Sequence, residues 1–101
     1  MWIFLNTGFI SVVQDRNNSE RVIVRSRRPE VLVRLFPKEK ILINREADYR
    51  YRVFVRRAQL GAAVCREIIG IDYPNFKDSV RDSEARGLYH AIWELGLEYQ
   101  R

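Results

Sequence analysis

Two stretches of strict alternation decide most of what this chain can become. In "YRYRVFVRR", residues 49–57, Tyr49, Tyr51, Val53 and Val55 alternate with Arg50, Arg52, Phe54 and Arg56. In "RVIVRSR", residues 21–27, Val22 and Val24 alternate with Arg21, Ile23, Arg25 and Arg27. Successive side chains of a strand point to opposite faces. Each stretch therefore predicts a half-buried strand with one apolar and one basic face. A sheet built from them needs cover on the valine side only, which predicts helices on that side and arginines on the other.

The rest of the chain supplies the partners. Residues 9–14, "FISVVQ", predict a strand, and Asn17-Asn18 supplies turn chemistry before a second strand over 20–27. "MWIF" reads as the start of the first strand, bent at Gly8; a separate short strand turned at "NTG" is the alternative. Pro29 and Glu30 suit the first turn of a short helix that carries Leu32, Leu35 and Phe36, and Pro37 ends it. "KILI" is a brief strand, "NREAD" a turn, and residues 49–57 the longest strand. A helix over 58–69 places Leu60, Val64 and Ile68 at i, i+4 and i+8 and stops at Gly70. "IDYPNFKDSV" is a loop with at most one helical turn, and Asp82 caps a final helix. The order β-β-α-β-β-α-α predicts an α+β fold, a two-layer sandwich with an antiparallel sheet and helices on one face, ferredoxin-like or similar. Val22, Val24, Val53, Val55, Leu60, Val64 and Ile68 should share its core.

A length of 101 residues suits one domain spanning 1–101, and 3 prolines with 5 glycines leave no room for a long linker. No apolar run approaches the roughly 18 residues of a membrane span. The apolar N-terminus lacks the basic n-region of a signal peptide and is interrupted by Asn6 and Thr7. The single cysteine, Cys65, excludes an internal disulfide, fits a reducing compartment and suits a small apolar filler. A cytoplasmic protein with no membrane partner is expected.

The net charge is +5, but its distribution is more informative. Residues 21–57 hold twelve Lys/Arg against four Asp/Glu, while the remainder holds six against nine. A basic middle beside an acidic remainder points to an acidic partner for one surface. If the two alternating strands are neighbours, Arg21, Arg25, Arg27, Arg50, Arg52 and Arg56 share one face with Phe54. Like charges placed opposite one another repel, and solvent, salt or a ligand must relieve them. The planar fork of arginine suits carboxylate and phosphate alike. The face predicts docking on an acidic protein or a nucleoprotein complex. Direct binding of single-stranded nucleic acid is the alternative, although Phe54 is one ring without an RNP-like motif around it. The plain competing reading is a solvated surface.

Two further surfaces are candidates. Tyr73, Asn75, Phe76 and Lys77 combine aromatic, amide and cation on one loop, as binding loops do. Equally, Tyr73 and Phe76 can pin that loop to the core. On the final helix Leu88, Ile92, Leu95 and Tyr99 form one stripe, and Tyr89, Trp93 and Leu97 a second. The second stripe is a candidate homodimer face; packing within the chain is the alternative. Nothing points to catalysis. His90 is alone, no ligand cluster suggests a metal, Cys65 has no histidine at a recognisable spacing, and no glycine-rich phosphate loop is present. No catalytic residue, cofactor or metal is predicted, and the chain is expected to act by binding rather than as an enzyme.

The segments "MWIFLNTGFISVVQ", "VRSR", "ADYRYR", "IDYPNFKDSV" and "YHAIW" occur in an order that resembles a family of small uncharacterised bacterial and phage proteins, with "ADYRYR" and the Tyr-x-Asn-Phe-Lys element as its most specific parts. The resemblance implies a small prokaryotic or phage protein, and no functional residue follows from it. A phage-type inhibitor or adaptor fits that description by analogy.

Overall fold

A computed structural model describes residues 1–100. Backbone contacts divide the chain into two compact units, Met1–Ile71 and the segment from Asp72 onward.

The first unit is a five-stranded sheet in the order β1-β2-β3-β5-β4, with every neighbouring pair antiparallel. The strands are β1 (Trp2–Leu5), β2 (Gly8–Asp15), β3 (Asn18–Ser26), β4 (Leu42–Ile43) and β5 (Tyr51–Arg56). Helix α1 (Glu30–Leu35) lies between β3 and β4, and α2 (Arg57–Ile69) follows β5 directly. The α+β sandwich expected from the sequence is present. Within that class the sheet is a meander, β1-β2-β3, completed by the β4–β5 hairpin rather than by the interleaved order of a ferredoxin-like sheet.

Both helices bury their apolar stripes against the valine face. Val31, Leu32 and Leu35 of α1, with Leu60 and Ala63 of α2, share one core with Ile10, Val12, Val22, Val24, Val53 and Val55. Pro29 stands at the N-cap of α1, and the chain leaves the helix at Phe36, just before Pro37. The two expected strands do adjoin, with Val22 opposite Val55 and Val24 opposite Val53.

Four expectations are corrected. "WIFL" is its own strand: Leu5 pairs with Gly8 across a two-residue turn at Asn6-Thr7, so the chain folds back there instead of bending. Gly8 makes the reversal with φ +144°, a conformation that L side chains rarely adopt. The strand expected over 49–57 begins only at Tyr51, because β4 ends at Ile43 and leaves residues 44–50 without a strand partner. Ile68 is 62% exposed, because the buried residues of α2 lie in its first half, at Leu60 and Ala63. Cys65 is likewise exposed and fills no core gap.

The second unit holds α3 (Phe76–Ser79) and α4 (Ser83–Tyr99). Asn75 caps α3 by accepting the Asp78 N–H, and Asp82 caps α4 by accepting the Ala85 N–H. Among the described residues, no helix is long and apolar enough to cross a membrane.

Candidate functional site

The face of the sheet opposite α1 and α2 is built by register. Arg21 lies opposite Arg56, Ile23 opposite Phe54 and Arg25 opposite Arg52. On the other side of β3, Ser11 faces Arg25 and Val13 faces Ile23. One row crosses all five strands: Trp2, Ser11, Arg25, Arg52 and Leu42.

Only one of these cations has a carboxylate. Arg21 pairs with the buried Asp15 at 2.7 Å, and its guanidinium lies over the Phe54 ring. Asp15 also accepts the Asn17 N–H at 2.9 Å. That backbone bond, and then Arg21, hold the Asp15 carboxyl below its ordinary range. Among the described residues, no carboxylate comes within ion-pair distance of Arg25, Arg27, Arg50, Arg52 or Arg56.

Three of the unpaired guanidiniums converge on Tyr49. Arg25 and Arg27 stand over its ring at 4.9 and 4.7 Å, and Arg52 Nη2 donates to its carbonyl at 3.1 Å. Arg25 Nη2 also donates to Ser11 Oγ at 2.8 Å. The Nε atoms of Arg25 and Arg52 are both buried, and neither has a hydrogen-bond acceptor. Phe9 meets the Tyr49 ring edge-on and stacks on Phe4, while Arg27 also lies 5.9 Å from the Phe9 ring.

The alternation of residues 49–56 therefore holds from Tyr51 onward and fails before it. Tyr49 does not join Tyr51, Val53 and Val55 on the apolar face; it lies buried beneath Arg25 and Arg27. Arg50 stands outside β5, where its carbonyl accepts the Asn44 N–H, and its guanidinium makes none of the contacts that join the others. Alternation is a property of extended, paired backbone, and residues 44–50 are not paired in a ladder. Trp2, Phe4, Phe9, Ser11 and Asp15 belong to the arginine face but escaped the sequence reading. Taking "NT" as a two-residue hairpin turn would have paired Trp2 with Ser11 and Phe4 with Phe9; the β2–β3 register then carries that row to Arg25.

In the second unit, Tyr73, Asn75, Phe76 and Lys77 are engaged locally. Phe76 stacks on Tyr89 at 5.4 Å, Tyr73 tilts against Phe76, and Lys77 lies 4.6 Å from the Trp93 ring. Tyr89 is buried, so it is withdrawn from the stripe it forms with Trp93 and Leu97 in sequence. Burial pushes its hydroxyl up to a pKa of about 12. Trp93 and Leu97 stay exposed, and every member of the other stripe, Leu88, Ile92, Leu95 and Tyr99, is exposed, with Leu95 at 64% and Tyr99 at 92%.

Comparison of the chain with protein-family models, with curated proteins and with solved structures finds no match.

Proposed function

We propose that the chain is a non-enzymatic interaction protein whose arginine face docks on an acidic protein or a nucleoprotein complex. The observation that carries this reading is the pairing of like charges across β3 and β5 with, among the described residues, no carboxylate within ion-pair distance of Arg25, Arg27, Arg52 or Arg56. Such pairs cost stability in the free protein, and an anionic partner relieves that cost. The Tyr49 ring against Arg25 and Arg27 holds their guanidiniums in place and leaves N–H groups for an oxyanion. A phage-type inhibitor or adaptor is one form such a module takes.

A second reading, single-stranded nucleic acid, is favoured by Trp2. It lies on the arginine face and is 67% exposed, so its ring is accessible to a base. Affinity capture with and without nuclease, using the parent and an Arg27→Gln/Arg56→Gln variant, separates the two. Capture that survives nuclease and is lost in the variant supports a protein partner. Nuclease-sensitive capture, with affinity falling steeply as salt rises, supports nucleic acid. Equal capture by both proteins leaves a solvated surface.

We also propose self-association through the exposed α4 stripe Leu88, Ile92, Leu95 and Tyr99. Its 4-3-4 spacing is that of a coiled-coil seam. Sedimentation of the parent should show concentration-dependent association that Leu95→Glu abolishes; a monomer at all concentrations rejects it.

A further inference from the structure

Around Tyr49 the arginine face narrows to one small cluster. Arg25 and Arg27 lie on its ring, and Arg52 is anchored to its carbonyl. Arg25 and Arg52 are direct cross-strand partners. Three cations are thus gathered about one uncharged residue; Asp48 adjoins them, its carboxylate accepting the Tyr49 N–H at 2.8 Å and its carbonyl the Arg27 Nε–H at 3.4 Å, but among the described residues no carboxylate lies within ion-pair distance of the three. Ser11 and the Tyr49 carbonyl each take one N–H. A guanidinium offers five, so Nη donors of Arg25 and Arg52 remain for a ligand, while both Nε–H groups lie buried without an acceptor. A buried donor without an acceptor costs free energy, and three like charges held together add to that cost.

We infer that the cluster of Arg25, Arg27 and Arg52 around Tyr49 is a seat for one phosphate monoester group, carried on a phosphorylated peptide segment of the partner. The assignment rests on the anion-docking reading of the face. A carboxylate brings a single charge to three cations. A phosphate monoester brings about −1.5 to −2 and three acceptor oxygens, which matches forked donors from several directions. The choice of a peptide over a nucleotide follows from the rings. Tyr49 already carries two guanidiniums, Phe9 carries Arg27 and Phe54 carries Arg21, so the rings in contact with the arginines are occupied where a base would stack; the free ring, Trp2, stands two strands from Arg25, beyond Ser11. Ser11 shares in the seat by holding one Nη2 of Arg25, which orients the fork without supplying charge.

The test is a titration of the full chain labelled with ¹⁵N, following the arginine Nε–H signals. Inorganic phosphate is the probe, with acetate as its control. The expected result is a saturable shift of the Arg25 and Arg52 signals with phosphate, and a response to acetate about tenfold weaker or less, the factor that one charged hydrogen bond contributes. Arg52→Gln should weaken phosphate binding by a similar factor. Arg27→Gln, an exposed position that leaves the fold intact, should do the same, and Arg45→Gln, outside the cluster, should not. A shift that rises linearly with phosphate, equals the acetate response, or survives Arg27→Gln overturns the seat. A phosphoserine peptide should then bind more tightly than its unphosphorylated form and more tightly than a 5′-phosphorylated oligonucleotide; the reverse order overturns the peptide assignment. Failure here with capture intact removes the seat but not the docking face, whereas loss of capture with the shifts intact removes the face.

Discussion

Arg25 and Arg52 sit directly opposite each other on β3 and β5, each with a buried Nε–H that no acceptor satisfies. A sheet that placed cations there for solubility alone would have no need to bury them. The pair makes the centre of the face costly in the free protein and receptive to an anion. Stability and binding therefore pull in opposite directions at this position.

Arg52→Glu should separate the two. It replaces a like-charge pair with an opposite-charge pair, so urea unfolding should show a gain of about 0.2–1 kcal/mol. Capture of the anionic partner should fall at the same time. A loss of more than about 1 kcal/mol would show that the bond from Arg52 to the Tyr49 carbonyl outweighs the repulsion.

Asp15 should make the sheet acid-sensitive. Its carboxyl titrates below the ordinary value of 3.8 in the folded chain, held down first by the Asn17 N–H and then by Arg21. The folded state therefore binds this proton less readily than the unfolded state does. The stabilisation is complete above pH 3.8 and is lost as the pH falls through the lower folded value. Asp15→Asn should flatten this part of a stability–pH curve, and an unchanged acid limb would show that the Asp15 carboxylate, with its bonds from Asn17 and Arg21, contributes nothing there.

Tyr89 gives the opposite limb. Its hydroxyl ionises at about 12 when folded, against an ordinary value of 10.0. The folded state holds the proton more tightly, so its contribution is present below pH 10 and is lost as the pH rises towards 12. Ultraviolet titration should show a late component, and Tyr89→Phe should remove it. If no late component is seen, the burial of Tyr89 against Phe76 is wrong.

Gly8→Ala should destabilise the first unit by about 1–3 kcal/mol. A Cβ at that position would come within 3.1 Å of the Val31 Cβ, and φ is +144°. Thermal unfolding of the variant measures the effect. An unchanged midpoint would show that the β1–β2 turn can relax without disturbing α1.

The sequence by itself determined the local features: the two faces of β3 and β5, the short helix between Pro29 and Pro37, the Asp82 cap and the excess of cations on one side of the sheet. Alternation and capping depend only on residues a few positions apart, so they are legible without knowing what lies opposite. Tertiary structure decided the rest. It set β3 beside β5, and so placed Arg25 against Arg52. It turned "WIFL" into a separate edge strand, which carried Trp2 and Phe4 to the arginine face. It left residues 44–50 without a strand partner, so Tyr49 could leave the valine side and lie under two guanidiniums. It also exposed Ile68, although its spacing from Leu60 and Val64 matched a buried stripe. Each of these outcomes depends on which distant segment pairs or packs at a given point. That choice is made by burial and hydrogen bonding summed over the whole unit, and a local pattern carries no record of it.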